Sequence, residues 1–258
     1  MRDEITPVVL TLDESANIER TLARLAWAAR VLVVDSGSDD GTQKLARTFD
    51  NVVVVERLFD SHAAQWEFGI RHPQVESDWV LALDADYVLT PELVAELERL
   101  EVPGEVAGYR ARFRYCIEGV PLRASLYPPV TVLFDRRRAR YVQSGHTQRL
   151  AVDGTVGELR GRILHDDRKP FARFVAAQRR YARLEAGRLR TTPWRDLPWS
   201  GRLRKLRVLT PWLVPLWLLL GRGLVLDGRA GLAYARQRRI AEAEIARALR
   251  AESRKGTG

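Results

Sequence analysis

Short, uninterrupted apolar runs alternate with amphipathic stretches over the first hundred residues. Pro7-Val8-Val9-Leu10-Thr11, Val31-Leu32-Val33-Val34-Asp35, Val52-Val53-Val54-Val55-Glu56 and Trp79-Val80-Leu81-Ala82-Leu83 each read as a strand covered on both faces. Between them, the spacing of apolar positions predicts helices from about Ile18 to Ala26, Gln43 to Phe49 and Ser61 to Arg71. Ser15 or Asn17 is placed to cap the first of these, and Thr90-Pro91-Glu92 opens a further helix with a hydroxyl cap and Pro in the first turn. Repeated strand–helix alternation with short connections predicts βαβ units and a mostly parallel sheet. Right-handed crossovers then bring the strand carboxyl ends to one rim, so Asp13, Asp35 and Asp84 are expected to converge there.

Past Leu100 the pattern changes. Gly108 to Tyr115 alternates as a half-exposed strand, and Val130 to Phe134, Ala139 to Val142 and Leu159 to His165 suggest further strands that need not be parallel. From Phe171 to Leu189 the apolar positions follow a helical period. No internal repeat is present, and only Glu252 to Gly258 forms a short polar end.

With 46% hydrophobic and 29% charged residues in 258, the composition is that of a globular chain able to bury a substantial core. The lone Cys116 cannot form an internal disulfide, which favours a reducing compartment. Met1-Arg2-Asp3-Glu4 is acidic and runs into a strand-like segment, so no signal peptide is expected. The charge divides unevenly. Residues 1–150 hold 18 Lys+Arg against 23 Asp+Glu, net −5, and residues 151–258 hold 24 against 10, net +14, together the +9 of the whole chain. A basic C-terminal part of this size suits an anionic surface, either membrane or nucleic acid.

Asp84-Ala85-Asp86 follows the fourth strand directly. Two carboxylates at i and i+2 beyond a strand's carboxyl end lie where open α/β sheets bind ligands, and they suit a divalent cation or a sugar hydroxyl. The same residues also suit a solvated strand-to-helix loop. There is no Gly-x-Gly-x-x-Gly after the first strand and no Gly-x-x-x-x-Gly-Lys-Ser/Thr anywhere, which disfavours a dinucleotide-binding dehydrogenase and a P-loop nucleotidase.

Three segments together, Thr11-Leu12-Asp13-Glu14-Ser15-Ala16-Asn17-Ile18, Val33-Val34-Asp35-Ser36-Gly37-Ser38-Asp39-Asp40-Gly41-Thr42 and Trp79-Val80-Leu81-Ala82-Leu83-Asp84-Ala85-Asp86, resemble the family-2 inverting glycosyltransferases of the GT-A fold. The likeness is to the bacterial enzymes that build lipopolysaccharide core or related glycolipids of the cell envelope. It covers roughly the first 100 residues, and the middle of the chain through Gly145-His146-Thr147-Gln148 and Leu164-His165-Asp166-Asp167 is similar less sharply.

The resemblance implies an α/β fold of GT-A type, a mostly parallel sheet flanked by helices, and a hexosyltransferase-like, inverting activity. It implies a nucleotide-sugar donor, a lipid-linked or glycan acceptor and a divalent metal, Mg²⁺ or Mn²⁺. Thr11, Asp13, Glu14, Asp35, Ser36, Asp40, Arg71 and Asp84 would contact the donor. Asp84 and Asp86, the DXD motif, would hold the metal, with His165 as a further ligand. Arg71 also suits a plain surface position on its helix. Two departures matter: Gln65-Trp66-Glu67 stands where relatives often have Gln-x-Asn, and His146-Thr147 where many carry His-Glu. The base that takes the acceptor's proton is then to be sought among His146, Asp166 and Asp167. A nucleotidyltransferase of related fold, or a non-catalytic relative that binds nucleotide sugars or membranes, is the alternative.

Val208 to Leu220 is almost wholly apolar, but Pro211 and Pro215 interrupt it and extension to Leu226 takes in Arg222. A spanning helix needs about 20 apolar residues. The expectation is a segment lying in the interface, with Trp212 and Trp217 at headgroup depth and Arg204, Lys205, Arg207, Arg222 and Arg229 facing anionic lipid; a buried hairpin is the competing reading. Basic residues beside a Trp-rich apolar run favour lipid over nucleic acid. The organisation expected is a catalytic domain over residues 1–168 and a basic helical region over 169–258, with a membrane-associating segment at 208–226. Together they describe a peripheral, monotopic enzyme on the cytoplasmic face of a membrane.

Overall fold

The computed structural model describes residues 4–144, 147–206 and 209–253. Two compact units emerge: residues 1–116 with 126–168, and residues 117–125 with 169–258. The short segment 117–125 groups with the C-terminal helices.

The strands are β1 (Ile5–Thr11), β2 (Val31–Asp35), β3 (Val52–Glu56), β4 (Trp79–Asp84), β5 (Tyr87–Leu89), β6 (Val106–Ile117), the two-residue β7 (Val120–Pro121), β8 (Val130–Asp135), β9 (Ala139–Ser144), β10 (Thr147–Val152) and β11 (Thr155–His165). The first unit is a sheet in the order β3-β2-β1-β4-β8-β6-β11-β5. Neighbours β3, β2, β1 and β4 are parallel, as are β6 and β11, whereas β8 runs antiparallel to both β4 and β6. The expected α/β class, a mostly parallel sheet flanked by helices, is what forms. Helices α1 (Ile18–Ala23), α2 (Thr42–Ala46), α3 (His62–Arg71) and α4 (Pro91–Arg99) are shorter than or equal to their expected spans.

Both faces of the parallel strands are buried, which is why they read as unbroken apolar runs. Val9, Val33, Leu81 and Leu83 join one core with residues of α1 and α4, while Val8, Leu32, Val34, Val80 and Ala82 join a second with Trp66 and Ile70 of α3. Thr90 caps α4 as expected, accepting from the Leu93 N–H at 3.4 Å. Strands β5 and β10 were not anticipated. β5 is three residues long, below the length at which alternation is legible, and β10 pairs antiparallel with β9 as a separate hairpin.

The second unit is helical. Its long helices are α5 (Phe171–Thr191) and α8 (Gly228–Ser253), joined through α6 (Trp199–Lys205) and α7 (Thr210–Leu216). Ala182, Ala186, Leu189, Leu197, Ile245 and Leu249 form its core. Glu242, fully buried, takes both Nη2 and Nε of Arg204 at 2.7 and 3.0 Å, and Arg204 also reaches Glu185 at 3.2 Å. Arg204 is therefore an internal ion-pair residue and not the lipid contact expected of it. Pro215 lies inside α7, and the chain continues as a π turn over Trp217–Gly221, the kind of local adjustment a missing N–H provokes. Among the described residues no helix is long and apolar enough to cross a membrane.

Candidate active site

Strand register sets the site. Thr11 pairs with Asp35 across β1 and β2, and Leu10 with Asp84 across β1 and β4, so the carboxyl ends of three strands lie level. The strand order reverses between β1 and β4, the position at which open α/β sheets take their ligands.

Asp35 is fully buried here. Its carboxylate accepts from Thr11 Oγ1 at 2.7 Å, Ser38 Oγ at 2.6 Å, the Gly37 and Ser38 N–H groups at 3.0 and 2.8 Å, and Gln43 Nε2 at 2.9 Å. Burial works against its charge, yet the bonds from Ser38, Thr11 and Gln43 hold its pKa below the usual carboxylate value. With five donors on its carboxylate, Asp35 shapes the rim from inside the loop. Thr11 is buried with it.

The β1 and β2 loops are stitched together. The N–H groups of Asp13, Glu14 and Ser15 donate to Ser38 Oγ (2.8 Å), Thr42 Oγ1 (2.7 Å) and Asp40 Oδ2 (3.0 Å). Asp40 also takes the Thr42 N–H at 3.0 Å and its hydroxyl at 2.5 Å. Burial raises its pKa and these donors outweigh it, down to about 2. Asp13 adopts a left-handed φ of 52°, and its carboxylate accepts from the Asp39 N–H at 3.3 Å. Ser36 accepts from Gln65 Nε2 at 3.0 Å, and buried Gln65 is further engaged by Arg57.

At the end of β4, Asp84 is exposed and Asp86 half-buried, and the Ala85 carbonyl between them accepts from Thr21 Oγ1 of α1 at 2.7 Å. β5 then pairs antiparallel with β11, setting Tyr87 opposite His165. That pairing brings His165 Nε2 to 3.0 Å from Asp86 Oδ2, and the Asp166 N–H to 3.0 Å from the Asp86 carbonyl. The rings of Tyr127, Tyr115 and Tyr87 surround the imidazole with centroids at 4.6, 4.9 and 5.4 Å. Burial alone would lower the His165 pKa, but Asp86 and then Asp84 and Asp167 raise it. His165 Nδ1 is buried without a hydrogen-bond partner. Asp86 and His165, with Asp84 two residues earlier in the chain, carry the oxygen and nitrogen donors that a divalent cation such as Mg²⁺ or Mn²⁺ takes. Among the described residues no three such side chains form a ready cage, so a cation here would draw further oxygens from substrate or water.

The residues after β11 fold back on α1. Buried Asn17 donates to Glu14 Oε2 at 2.8 Å and to Asp167 Oδ1 at 3.0 Å, and its own oxygen accepts from the Arg168 N–H and from Arg20 at 2.8 and 2.9 Å. Asp166 is 4% exposed and held by Arg168 at 2.9 Å and Arg20 at 3.4 Å, whereas Asp167 is exposed. Asn17 and Arg20 were not anticipated in this role; Asn17 stands in the first motif, but nothing local shows that its partner is 150 residues away.

The structure does not bring Arg71 to the rim. At the far end of α3 it donates to the carbonyls of Ala139, at 2.7 Å, and Arg136, beside the residues that precede β4. Arg136 in turn donates to the Ser77 carbonyl. Arg71 thus ties the end of α3 to the start of β9. Glu67, at the position where relatives often have Asn, accepts the Tyr141 N–H and fixes β9 to α3. His146 lies outside the described residues.

Comparison with known proteins extends the picture. The family model for Glycosyl transferase family 2 matches residues 7–144. Over 198 residues the chain is 27% identical to the lipopolysaccharide core biosynthesis glycosyltransferase LpsC of Rhizobium meliloti (strain 1021), covering 70% of each chain. It is 34% identical over 96 residues to an uncharacterized glycosyltransferase of Rickettsia bellii (strain RML369-C), 37% of this chain and 32% of that one. Among solved structures, S. aureus TarS 1–349 in complex with UDP-GlcNAc aligns with a TM-score of 0.50 at 15% identity, covering 98% of this chain and 92% of that one. The last of these speaks to the fold alone.

Proposed function

The chain belongs to glycosyl transferase family 2, and on that footing we propose that it moves a sugar from a nucleotide-sugar donor to a hydroxyl of a lipid-linked or cell-envelope glycan, with inversion and with a divalent cation. The observation that carries this reading is the meeting of Asp86 and His165, 3.0 Å apart, with Asp84 at the carboxyl end of β4. Asp13, Glu14 and Ser36 on the stitched loops form the base and ribose side of the rim, with Asp35 and Asp40 as the internal framework that holds them. Asp84 faces the diphosphate and sugar, and Asp86 with His165 would hold Mg²⁺ or Mn²⁺. When bound, that cation neutralises charge gathering on the departing diphosphate.

In the transfer, the acceptor oxygen bonds to the anomeric carbon as the bond from that carbon to the diphosphate oxygen breaks, and the hydroxyl proton passes to a protein base. Asp167 is the exposed carboxylate beside the site, oriented by Asn17. The similarity to LpsC, a lipopolysaccharide core biosynthesis glycosyltransferase, supports an envelope acceptor. The exposed apolar residues of α7 support a peripheral position on a membrane, which we take to be at its cytoplasmic face.

The test is a thermal-shift screen of nucleotide sugars with Mn²⁺, with Mg²⁺ and with chelator, on the parent chain and on Asp86→Ala. The parent should show metal-dependent donor binding and transfer. The variant should fold and lose both the metal effect and transfer. Equal donor binding in chelator, or full activity in Asp86→Ala, overturns the assignment.

A further inference from the structure

The second unit contains a groove of about 490 Å³ between α7 and α8 that the reaction above does not use. Its volume lies within the roughly 300–1,000 Å³ of ligand clefts. One wall is Pro211 and Trp212; the other is the α8 stripe of Arg239, Ala243, Ala246, Arg247 and Arg250. Those five positions fall at helical spacing, so they share one face. The two alanines leave the space, and the arginines border it.

The charge of the groove is positive. Arg239 rests with its guanidinium carbon 4.0 Å above the Trp212 ring. A guanidinium stacked in this way keeps its in-plane N–H donors for an acceptor. Arg247 Nη1 lies 2.5 Å from Glu244, but that carboxylate is shared with Arg179 Nε at 3.6 Å. The Glu244 carboxylate therefore faces two guanidiniums. The nearby α7, with Leu209 before it and Leu220 in the π turn after it, also carries an exposed apolar stripe: Leu209, Trp212, Leu213, Leu216 and Leu220 are 46%, 61%, 46%, 53% and 68% exposed.

We propose that this groove binds the phosphate headgroup of an anionic phospholipid, with Arg239 and Arg247 on the phosphate and Trp212 against the glycerol and upper acyl chain. The proposal rests on the peripheral-membrane reading and adds to it a defined headgroup site. A free anion needs only the arginines. The apolar stripe running on from Trp212 is what a lipid needs as well, since an aromatic ring at headgroup depth and basic side chains act together at a membrane surface.

The experiment uses the full chain and dihexanoyl phosphatidylglycerol below its micellar concentration, followed by tryptophan fluorescence. Dihexanoyl phosphatidylcholine, glycerol 3-phosphate and inorganic phosphate are run in parallel. Binding of the phosphatidylglycerol should be saturable and about tenfold tighter than any of the other three. Arg239→Gln with Arg247→Gln should weaken it about tenfold or more, with nucleotide-sugar binding unchanged as the folding control. Equal affinity in the double variant, or for the phosphatidylcholine, overturns the site, and equal affinity for inorganic phosphate makes it an anion site without a lipid. Flotation on phosphatidylglycerol vesicles separates the two levels. If parent and double variant both float and short-chain binding is unchanged, the groove assignment fails and the peripheral reading stands. If the parent does not float, both fail.

Discussion

Asp35 and Asp86 look alike in the sequence, each an aspartate closing or following an apolar strand, yet their surroundings assign them opposite work. Five donors reach Asp35, more than the roughly four lone-pair sites of a carboxylate. Asp86 instead meets an imidazole at 3.0 Å. The donors to Asp35 come from Thr11 and Gln43 as well as its own loop, and no local pattern announces them. The three motifs were therefore legible as one cluster at the strand ends, while which of their carboxylates are held by internal bonds was not. The same distinction separates the two carboxylates after β11. Asp166 is buried between Arg20 and Arg168, so its removal takes a buried carboxylate from beside two guanidiniums and costs stability. Asp167 is exposed and accepts from Asn17. We expect Asp167→Asn to lower the single-turnover rate by about 10²–10⁴-fold with donor affinity kept, and Asp166→Asn to lower the urea midpoint. His146→Ala belongs in the same series. A rate for Asp167→Asn within a few-fold of the parent removes it as the base.

At the scale of elements, apolar runs and the α4 cap were readable because both faces of the parallel strands are buried and Thr90-Pro91 marks a helix start, whereas Asn17 opens α1 with no side-chain cap bond. What escaped was short or depended on distant pairing. β5 is only Tyr87–Leu89, but its antiparallel register with β11 is what brings His165 to Asp86. β11 also shows how closely α4 is held. Its pairing with β6 shifts register between Glu158 and Arg162. Within that shift Glu96 accepts the N–H groups of Arg160 and Gly161, the latter at 2.7 Å. A Cβ on Gly161 would come within 2.5 Å of Leu93 Cα, a backbone atom with no room to give. Gly161→Ala should therefore push α4 off the sheet and destabilise the fold by about 2–3 kcal/mol. Gly104→Ala, where nothing lies within 4 Å, should stay within about 0.5 kcal/mol of the parent. Urea midpoints of the two variants check the contrast; equal midpoints would mean that β11 and α4 separate without cost.

For the molecule as a whole, the split between a net −5 over residues 1–150 and +14 over 151–258 pointed to an anionic surface, and the structure changes which cations are available for it. Arg204 is drawn into the pair with buried Glu242, and Lys205 donates to the Thr192 carbonyl at 2.9 Å. Arg222, Arg229, Arg236 and Arg239 are exposed instead. Sequence position alone could not sort these, because the partners of Arg204 lie on α5 and α8. The apolar contribution to surface binding comes from side chains about half exposed, Leu216 at 53% and Trp217 at 48% among them, with Leu220 at 68%. Full burial of such a side chain is worth about 1.5–3 kcal/mol, so inserting the exposed half of one contributes roughly 1 kcal/mol. Trp217→Ser with Leu220→Ser should then weaken binding to vesicles containing phosphatidylglycerol by about tenfold or more, since 1.4 kcal/mol is about a factor of ten. The electrostatic part should fade separately as salt rises, because the Debye length falls from about 10 Å at 0.1 M to about 3 Å at 1 M. Flotation of parent and variant at both salt levels resolves the two contributions: salt should weaken each chain, and the double substitution should weaken binding further at either salt. Binding that ignores the double substitution means that the apolar stripe is covered by something other than lipid, and binding that ignores salt means that the basic surface takes no part.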